Sequence, residues 1–348
     1  MVYSPYEIRE MGVEIFEKVG LSRERAEICM DSLLQAELRG VSSHGITRLK
    51  AYSEKVRQGQ VDGQAEPEVL SAAPSTLVID GHNAPGCVVG HYAMERCIQK
   101  ARETGVCFAA VRNSTHYGFG AFYAMQAAQQ DMIGFSVCNV DAAVVPFGGA
   151  RPMLGTNPLS VAIPAGEQPW LVLDMATSVV AKGKVNLAEK LGKSIPEGWI
   201  IDKDGNNTTN PADVLEGALL PFGGPKGYAI SLIIDVLCST LSGAKTSTEI
   251  TSFYSGKDPA GFQDVGYFMG AIDISKFVPM DLFKARIDGL FAKIKECPPA
   301  AGFQEVMLPG EIEARNAQKR QAEGLELSDV IVAELRQLAE HYGVPHPF

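Results

Sequence analysis

Several short stretches of this sequence combine the residue types that proton transfer and anion binding need. In SSHGITRLKAY (42–52), His44, Arg48 and Tyr52 recur at every fourth position. If Ser42 or Ser43 caps a helix there, that spacing brings all three to one face. An arginine fork flanked by a histidine and a phenol suits a carboxylate ligand. The plainer alternative is a solvated face with the arginine in a surface salt bridge. In NSTHYGFG (113–120), His116 follows the apolar run GVCFAAV and precedes AFYAMQAAQQ. It therefore stands at the carboxyl end of a strand, where open α/β sheets place ligands. An ordinary imidazole, with a pKa of about 6.5, exchanges a proton with an alcohol or carbonyl oxygen at neutral pH. A turn histidine satisfied by backbone groups is the competing reading.

Asp141 directly follows MIGFSVCNV, another strand-like run. There a carboxylate can orient an imidazole, hold a substrate hydroxyl, or simply serve a turn. PFGGPKGY (221–228) leads into an apolar helix. Its glycines allow close backbone approach, and Lys226 adds charge at a helix N-terminus, an arrangement that fits an anion. It is not a phosphate loop of the Walker type, whose spacing and Ser/Thr after the lysine are missing. Gly118 and Gly120 begin like a dinucleotide fingerprint, but Tyr123 occupies the third glycine position and no acidic ribose partner follows at the expected distance, so a Rossmann reading is rejected. FGGARPMLGTNP (147–158) and DMATS (174–178) look like ligand loops. Asp174 could hold ribose hydroxyls or begin a turn.

These residues need a scaffold, and the hydrophobic patterning supplies an α/β one. Two amphipathic helices come first: Ile8, Met11, Ile15 and Val19, then Cys29, Met30, Leu33 and Leu34 after a Ser22 cap. Strand-like runs follow in STLVID, GVCFAAV, MIGFSVCNV, NPLSVAIP and WLVLDMA, with helical stretches near 88–103 and 120–130. Asp204-Gly205 marks a tight turn. Later helices are expected at 227–241, nearly apolar throughout and so buried, at 280–295 and at 328–342. With 348 residues, two lobes are expected: a helical one from 1–70 plus 300–348, and an α/β sheet region from 71–299 carrying cofactor and catalytic residues.

Composition removes several classes. A formal charge of −10 without a basic run argues against nucleic acid. No stretch is long and apolar enough for a membrane span, and MVYSPYEIREMG lacks the basic and apolar parts of a secretory signal, so the cytoplasm is expected. Seven scattered cysteines without a C-x-x-C pair predict reduced thiols and no structural metal. There is no G-x-S-x-G elbow for a hydrolase and no H-E-x-x-H for a zinc enzyme.

Six blocks in order resemble the malate/L-lactate/ureidoglycolate dehydrogenase family, which is unrelated in fold to the Rossmann-type malate and lactate dehydrogenases. They are ELRGVSSHGITRL (37–49), NSTHYGFGAFYA (113–124), VVPFGGARPMLGTNPLSVAIP (144–164), LDMATSVVAKGKV (173–185), GGPKGYAISLIIDVL (223–237) and GFQEVMLPGE (302–311). The resemblance spans essentially the whole chain. It implies a non-Rossmann NAD(P)-binding fold on a largely antiparallel sheet, in a homodimer whose active site uses both subunits. It further implies His116 as catalytic acid/base, Asp141 and Ser43 as its polar support, and His44, Arg48 and Tyr52 on the substrate side. Asp174, Met175, Ala176, Lys226, Gly227, Leu308, Pro309, Gly310 and Glu311 would hold NAD, with NADP also open. The implied reaction joins a small 2-hydroxy acid, malate- or lactate-like, to its 2-keto acid. Ureidoglycolate oxidation and reduction of a cyclic imino acid of the pyrroline or piperideine carboxylate kind stay open. A non-catalytic nucleotide-binding protein is the reading from another class, since it would need neither His116 nor Arg48.

Overall fold

The computed structural model describes residues 1–253 and 262–348. A short strand, β1 (Val2–Tyr3), leads into helices α1 (Pro5–Lys18) and α2 (Arg23–Leu38). Pro5 starts α1, where its missing N–H costs nothing. Ser22 caps α2 as its position predicts, its side chain accepting from the Arg25 N–H. The single helix expected across 42–52 does not form. Two 3₁₀ turns, Ser42–His44 and Ile46–Arg48, are separated by an extended Gly45, and α3 (Leu49–Arg57) begins only after them. Ser42 Oγ is drawn instead to the Glu37 carboxylate at 2.7 Å, so it caps nothing.

The sheet region follows as β2 (Glu68–Ala73), β3 (Thr76–Asp80), α4 (Gly86–Thr104), β4 (Val106–Ser114), α5 (Gly120–Ala128), β5 (Met132–Cys138), β6 (Leu159–Ile163) and β7 (Leu171–Met175). Next come α6 (Lys182–Lys190), a small sheet of β8 (Ile200–Ile201), β9 (Asn207–Thr208) and β10 (Ala218–Leu219), and α7 (Pro225–Asp235). The expected tight turn joins β8 to β9, with Gly205 at φ 87°. The chain closes with β11 (Val265–Asp273), α8 (Met280–Lys295), α9 (Glu311–Glu323), β12 (Leu325–Glu326) and α10 (Asp329–Tyr342).

Seven strands form the main sheet in the order β2-β3-β4-β11-β5-β6-β7. Every neighbouring pair is antiparallel except β3 with β4, so the largely antiparallel α/β architecture is observed. Strand alternation then sorts the two faces. Tyr267, Met269 and Ala271 of β11 pack with Met94 and Cys97 of α4 and Tyr123 of α5, whereas Phe268 packs with Ile234 of α7 and Cys238 beyond it. A separate apolar cluster joins Ile8, Phe16, Leu33 and Leu49 from the first three helices to Leu335 and Leu338 of α10.

The apolar helix α7 departs from the expectation of burial. Ile234 faces the sheet, but Leu232, Val236 and Leu241 are exposed and Ile233 is 60% exposed. A helix that touches the sheet along one stripe cannot bury residues on its far side in a single chain, however apolar they are.

Tyr267 shows how the sheet holds the loop after β4. Its ring is fully buried, its hydroxyl donates to the Thr115 carbonyl at 2.5 Å, and it accepts from Ser114 Oγ at 2.8 Å. Tyr267→Phe would leave a buried acceptor and a buried donor unmatched. The expected loss is roughly 1–3 kcal/mol in urea unfolding; an unchanged midpoint would show that the hydroxyl does not hold this loop.

Candidate active site

His116 occupies the segment between β4 and α5, two residues past the last residue of β4. Asn113, at φ 51°, turns the chain there: its N–H donates to Asp264 Oδ1 at 2.6 Å and its side-chain amide to Asp80 Oδ2 at 2.8 Å. The N-terminus of α4 presses against the same segment. A Cβ on Gly86 would lie 2.2 Å from the His116 carbonyl oxygen, so glycine is required for the approach. His116 N donates to Gln263 Oε1 at 3.2 Å.

On the imidazole, Nδ1 lies 2.7 Å from Tyr52 Oη of α3, and Nε2 has no hydrogen-bond partner among the described residues. The ring of His44 stacks on that of His116 with centroids 5.9 Å apart and planes 13° apart. Phe253 packs against His116 at 4.9 Å and against Tyr52 at 5.6 Å. His44 arrives through the 3₁₀ turns rather than by helical periodicity. Ser43 Oγ lies 3.0 Å from His44 Nδ1, and the Ser43 carbonyl accepts Arg48 Nε at 2.6 Å, so Ser43 orients both neighbours. The turns themselves hang on Glu37, whose carboxylate accepts from Ser42 Oγ and, at 3.3 Å, from the Ile46 N–H.

Burial pushes His116 down to about 3, with His44 and Arg48 adding to the effect. Burial, then Arg48, lowers His44 to about 4. Both residues nevertheless keep part of their surface open to solvent. They are packed among atoms yet reachable, and neutral near pH 7. Asp141 lies beyond β5, half-buried, and makes no hydrogen bond to His116.

A second cavity, of about 170 Å³, gathers Asp174 with Pro309, Gly310, Arg39 and Glu313. Ser160 Oγ donates to Asp174 Oδ1, while burial raises the Asp174 carboxyl to about 6. The side chain is still exposed through the mouth of the cavity, so it sits in a poorly hydrated but accessible place. Arg39 Nε is buried without a hydrogen-bond partner among the described residues. Gly310, at φ 84°, could not carry a side chain, because a Cβ would lie 2.7 Å from Val172. An unmatched donor, a carboxylate and a glycine cradle fit a polyhydroxylated ligand such as a ribose.

The other expected cofactor residues lie outside this cavity. Met175 and Ala176 continue from Asp174, and Lys226 is exposed in the first turn of α7. Gly227 is buried against the loop before it, where a Cβ would lie 2.0 Å from the Phe222 carbonyl. Leu308 packs with Ala165 and Phe291. Glu311 accepts from the Leu308 N–H at 2.9 Å and pairs with Lys295 at 2.8 Å and Arg315 at 2.5 Å. Arg39, Glu37, Glu313 and Phe253 were not singled out in the sequence, although Glu37 and Arg39 lie inside the ELRGVSSHGITRL block.

Known proteins with the same architecture are close. The model of the malate/L-lactate dehydrogenase family matches residues 3–336. An L-sulfolactate dehydrogenase of Methanocaldococcus jannaschii is 38% identical over 344 residues, covering 99% of this chain and 98% of that protein. A ureidoglycolate dehydrogenase (NAD(+)) of Escherichia coli is 35% identical, covering 90% of this chain and 89% of that protein. The crystal structure of a malate dehydrogenase from Entamoeba histolytica superposes with a TM-score of 0.94 at 31% identity, covering 100% of this chain and 99% of that one. Sequence blocks, sheet order and family match agree: the chain belongs to the malate/L-lactate dehydrogenase family.

Proposed function

We propose that this protein interconverts a small 2-hydroxy acid and its 2-keto acid, with His116 as the proton carrier and NAD as the cofactor. The observation that carries the reading is the 2.7 Å contact between Tyr52 Oη and His116 Nδ1, which leaves Nε2 without a partner among the described residues, beside His44 and Arg48. With Nδ1–H donating to Tyr52, the Nε2 lone pair accepts the substrate hydroxyl proton. In the reverse direction the imidazolium donates from Nε2 to the ketone oxygen while Tyr52 still accepts Nδ1–H. Arg48, oriented by the Ser43 carbonyl, receives the substrate carboxylate, and His44 adds a donor. NAD supplies the hydride chemistry when bound. Asp174, Arg39, Pro309 and Gly310 line the cavity assigned to its ribose, where a carboxylate suits a 2′-hydroxyl better than a 2′-phosphate. The exposed apolar side of α7 supports a homodimer.

Four outcomes are expected. A panel of 2-keto acids read by NADH and NADPH absorbance should show turnover in the wild type. His116→Ala should lower kcat by about 10²–10⁴-fold while NADH binding, followed by fluorescence, persists; wild-type turnover in this variant would end the assignment. For hydroxy-acid oxidation at saturating NAD, the neutral imidazole is the competent form. Its lowered pKa keeps it neutral as the pH falls below 6.5, so kcat/KM should show no protonation limb at 6.5. A limb centred there and carried by His116 would contradict the burial argument. Sedimentation should give a mass near twice 37.3 kDa; a monomer at micromolar concentration would rule out the dimer.

A further inference from the structure

Two of the seven cysteines meet beside the loop that carries His116, and no role above uses them. Cys29 lies on α2 and Cys87 in the first turn of α4, and Cys87 Sγ donates to Cys29 Sγ at 2.7 Å. Both are almost wholly buried in the apolar cluster of the first helices, yet both line one cavity with Tyr52, Thr115 and His116. The free space there, about 20 Å³, admits a molecule the size of water or hydrogen peroxide and nothing bulkier. Burial pushes the Cys29 thiol up, so it rests protonated at neutral pH.

We propose that Cys29 and Cys87 form an oxidisable dithiol, a modification site for a small hydroperoxide, whose disulfide reversibly suppresses turnover. In the first step one sulfur attacks a peroxide oxygen and breaks the O–O bond, leaving a sulfenic acid, while the departing hydroxide takes the thiol proton as water. The second sulfur then attacks the first, and the sulfenic hydroxyl leaves with the remaining thiol proton as a second water. Two thiols are thus oxidised to one disulfide, and one peroxide is reduced to two waters. The bond reaches the site through α4. Gly86 adjoins Cys87 and is packed so closely that a Cβ would lie 2.2 Å from the His116 carbonyl oxygen and 2.7 Å from that of Thr115. Drawing Cys87 towards α2 therefore shifts the wall against which the His116 segment is held. The effect on turnover rests on the reading of His116 as proton carrier; formation of the bond does not.

The test treats wild type, Cys29→Ala, Cys87→Ala and Cys297→Ala with hydrogen peroxide or with glutathione disulfide. Each sample is assayed with the 2-keto acid panel and digested without reductant for peptide mass mapping. In the wild type, peroxide should join the Cys29 and Cys87 peptides and lower kcat about tenfold, and dithiothreitol should reverse both. Glutathione disulfide, too large for the cavity, should do neither. Each alanine variant of the pair, normalised to its own untreated rate, should keep its activity under peroxide. Cys297→Ala, which loses the exposed thiol, should respond as the wild type does. Absence of the linked peptide, or equal inactivation of both paired variants, overturns the site. A linked peptide with turnover unchanged overturns its control of His116, and equal linkage by glutathione disulfide overturns the selectivity for peroxide. Wild-type protein inactive before treatment overturns the proposed reaction, and the linked peptide then decides the site by itself.

Discussion

A carboxylate buried where α2 ends governs how the substrate-side residues reach His116. Glu37 is 4% exposed, and a charge so placed must be matched by donors from its surroundings. Ser42 Oγ, the Ile46 N–H and the Arg320 guanidinium of α9 answer that demand. To do so, residues 42–48 fold around the carboxylate as two tight turns, and Gly45 passes so close that a Cβ would lie 2.2 Å from Glu37 Oε2. The consequence is that His44 and Arg48 are fixed relative to α2 and α9 before any ligand arrives. Tyr52, on the helix these turns introduce, then completes the connection to His116.

The electrostatics of the two cavities differ in a way that matches their proposed tasks. Around His116, burial first and the neighbouring charge of Arg48 after it hold two imidazoles neutral near pH 7, so a neutral ring is the resting form there. Around Asp174, burial works against the carboxylate, and the Ser160 hydroxyl, the Ala121 N–H and then the charge of Arg39 oppose that effect. Burial lowers the Arg39 guanidinium in turn, and the carboxylates of Glu313 and Asp174 oppose that.

Much of the site was legible because its chemistry is local. His116 after GVCFAAV, the Ser22 cap, the tight turn at Gly205 and the helices at 280–295 and 329–342 follow from short-range patterning, and the structure has them. Periodicity misled at 42–52, because a partner at the end of the preceding helix, Glu37, outweighed helix spacing. It misled again on α7, where apolar composition does not say what covers a face. Strand β11 escaped notice for a different reason. Covered on both faces, it lacks alternation, and its Gly266 and Gly270 read as breakers although close packing requires them: a Cβ on Gly266 would lie 1.7 Å from the Cys238 carbonyl.

The position of β11 also sets the order in which this molecule can be assembled. Residues 265–273 lie between β4 and β5, which are separated from each other by only a helix in sequence. During synthesis, β4 and β5 therefore emerge long before the strand that joins them, each with an unpaired edge. Pairing them directly would be the kinetically easy error, since local closure is faster than distant closure. Tyr267, which ties the Thr115 carbonyl, arrives on that same late strand. The loop bearing His116 thus acquires its final shape only after about three-quarters of the chain has been made, and a truncated product has a sheet without its middle.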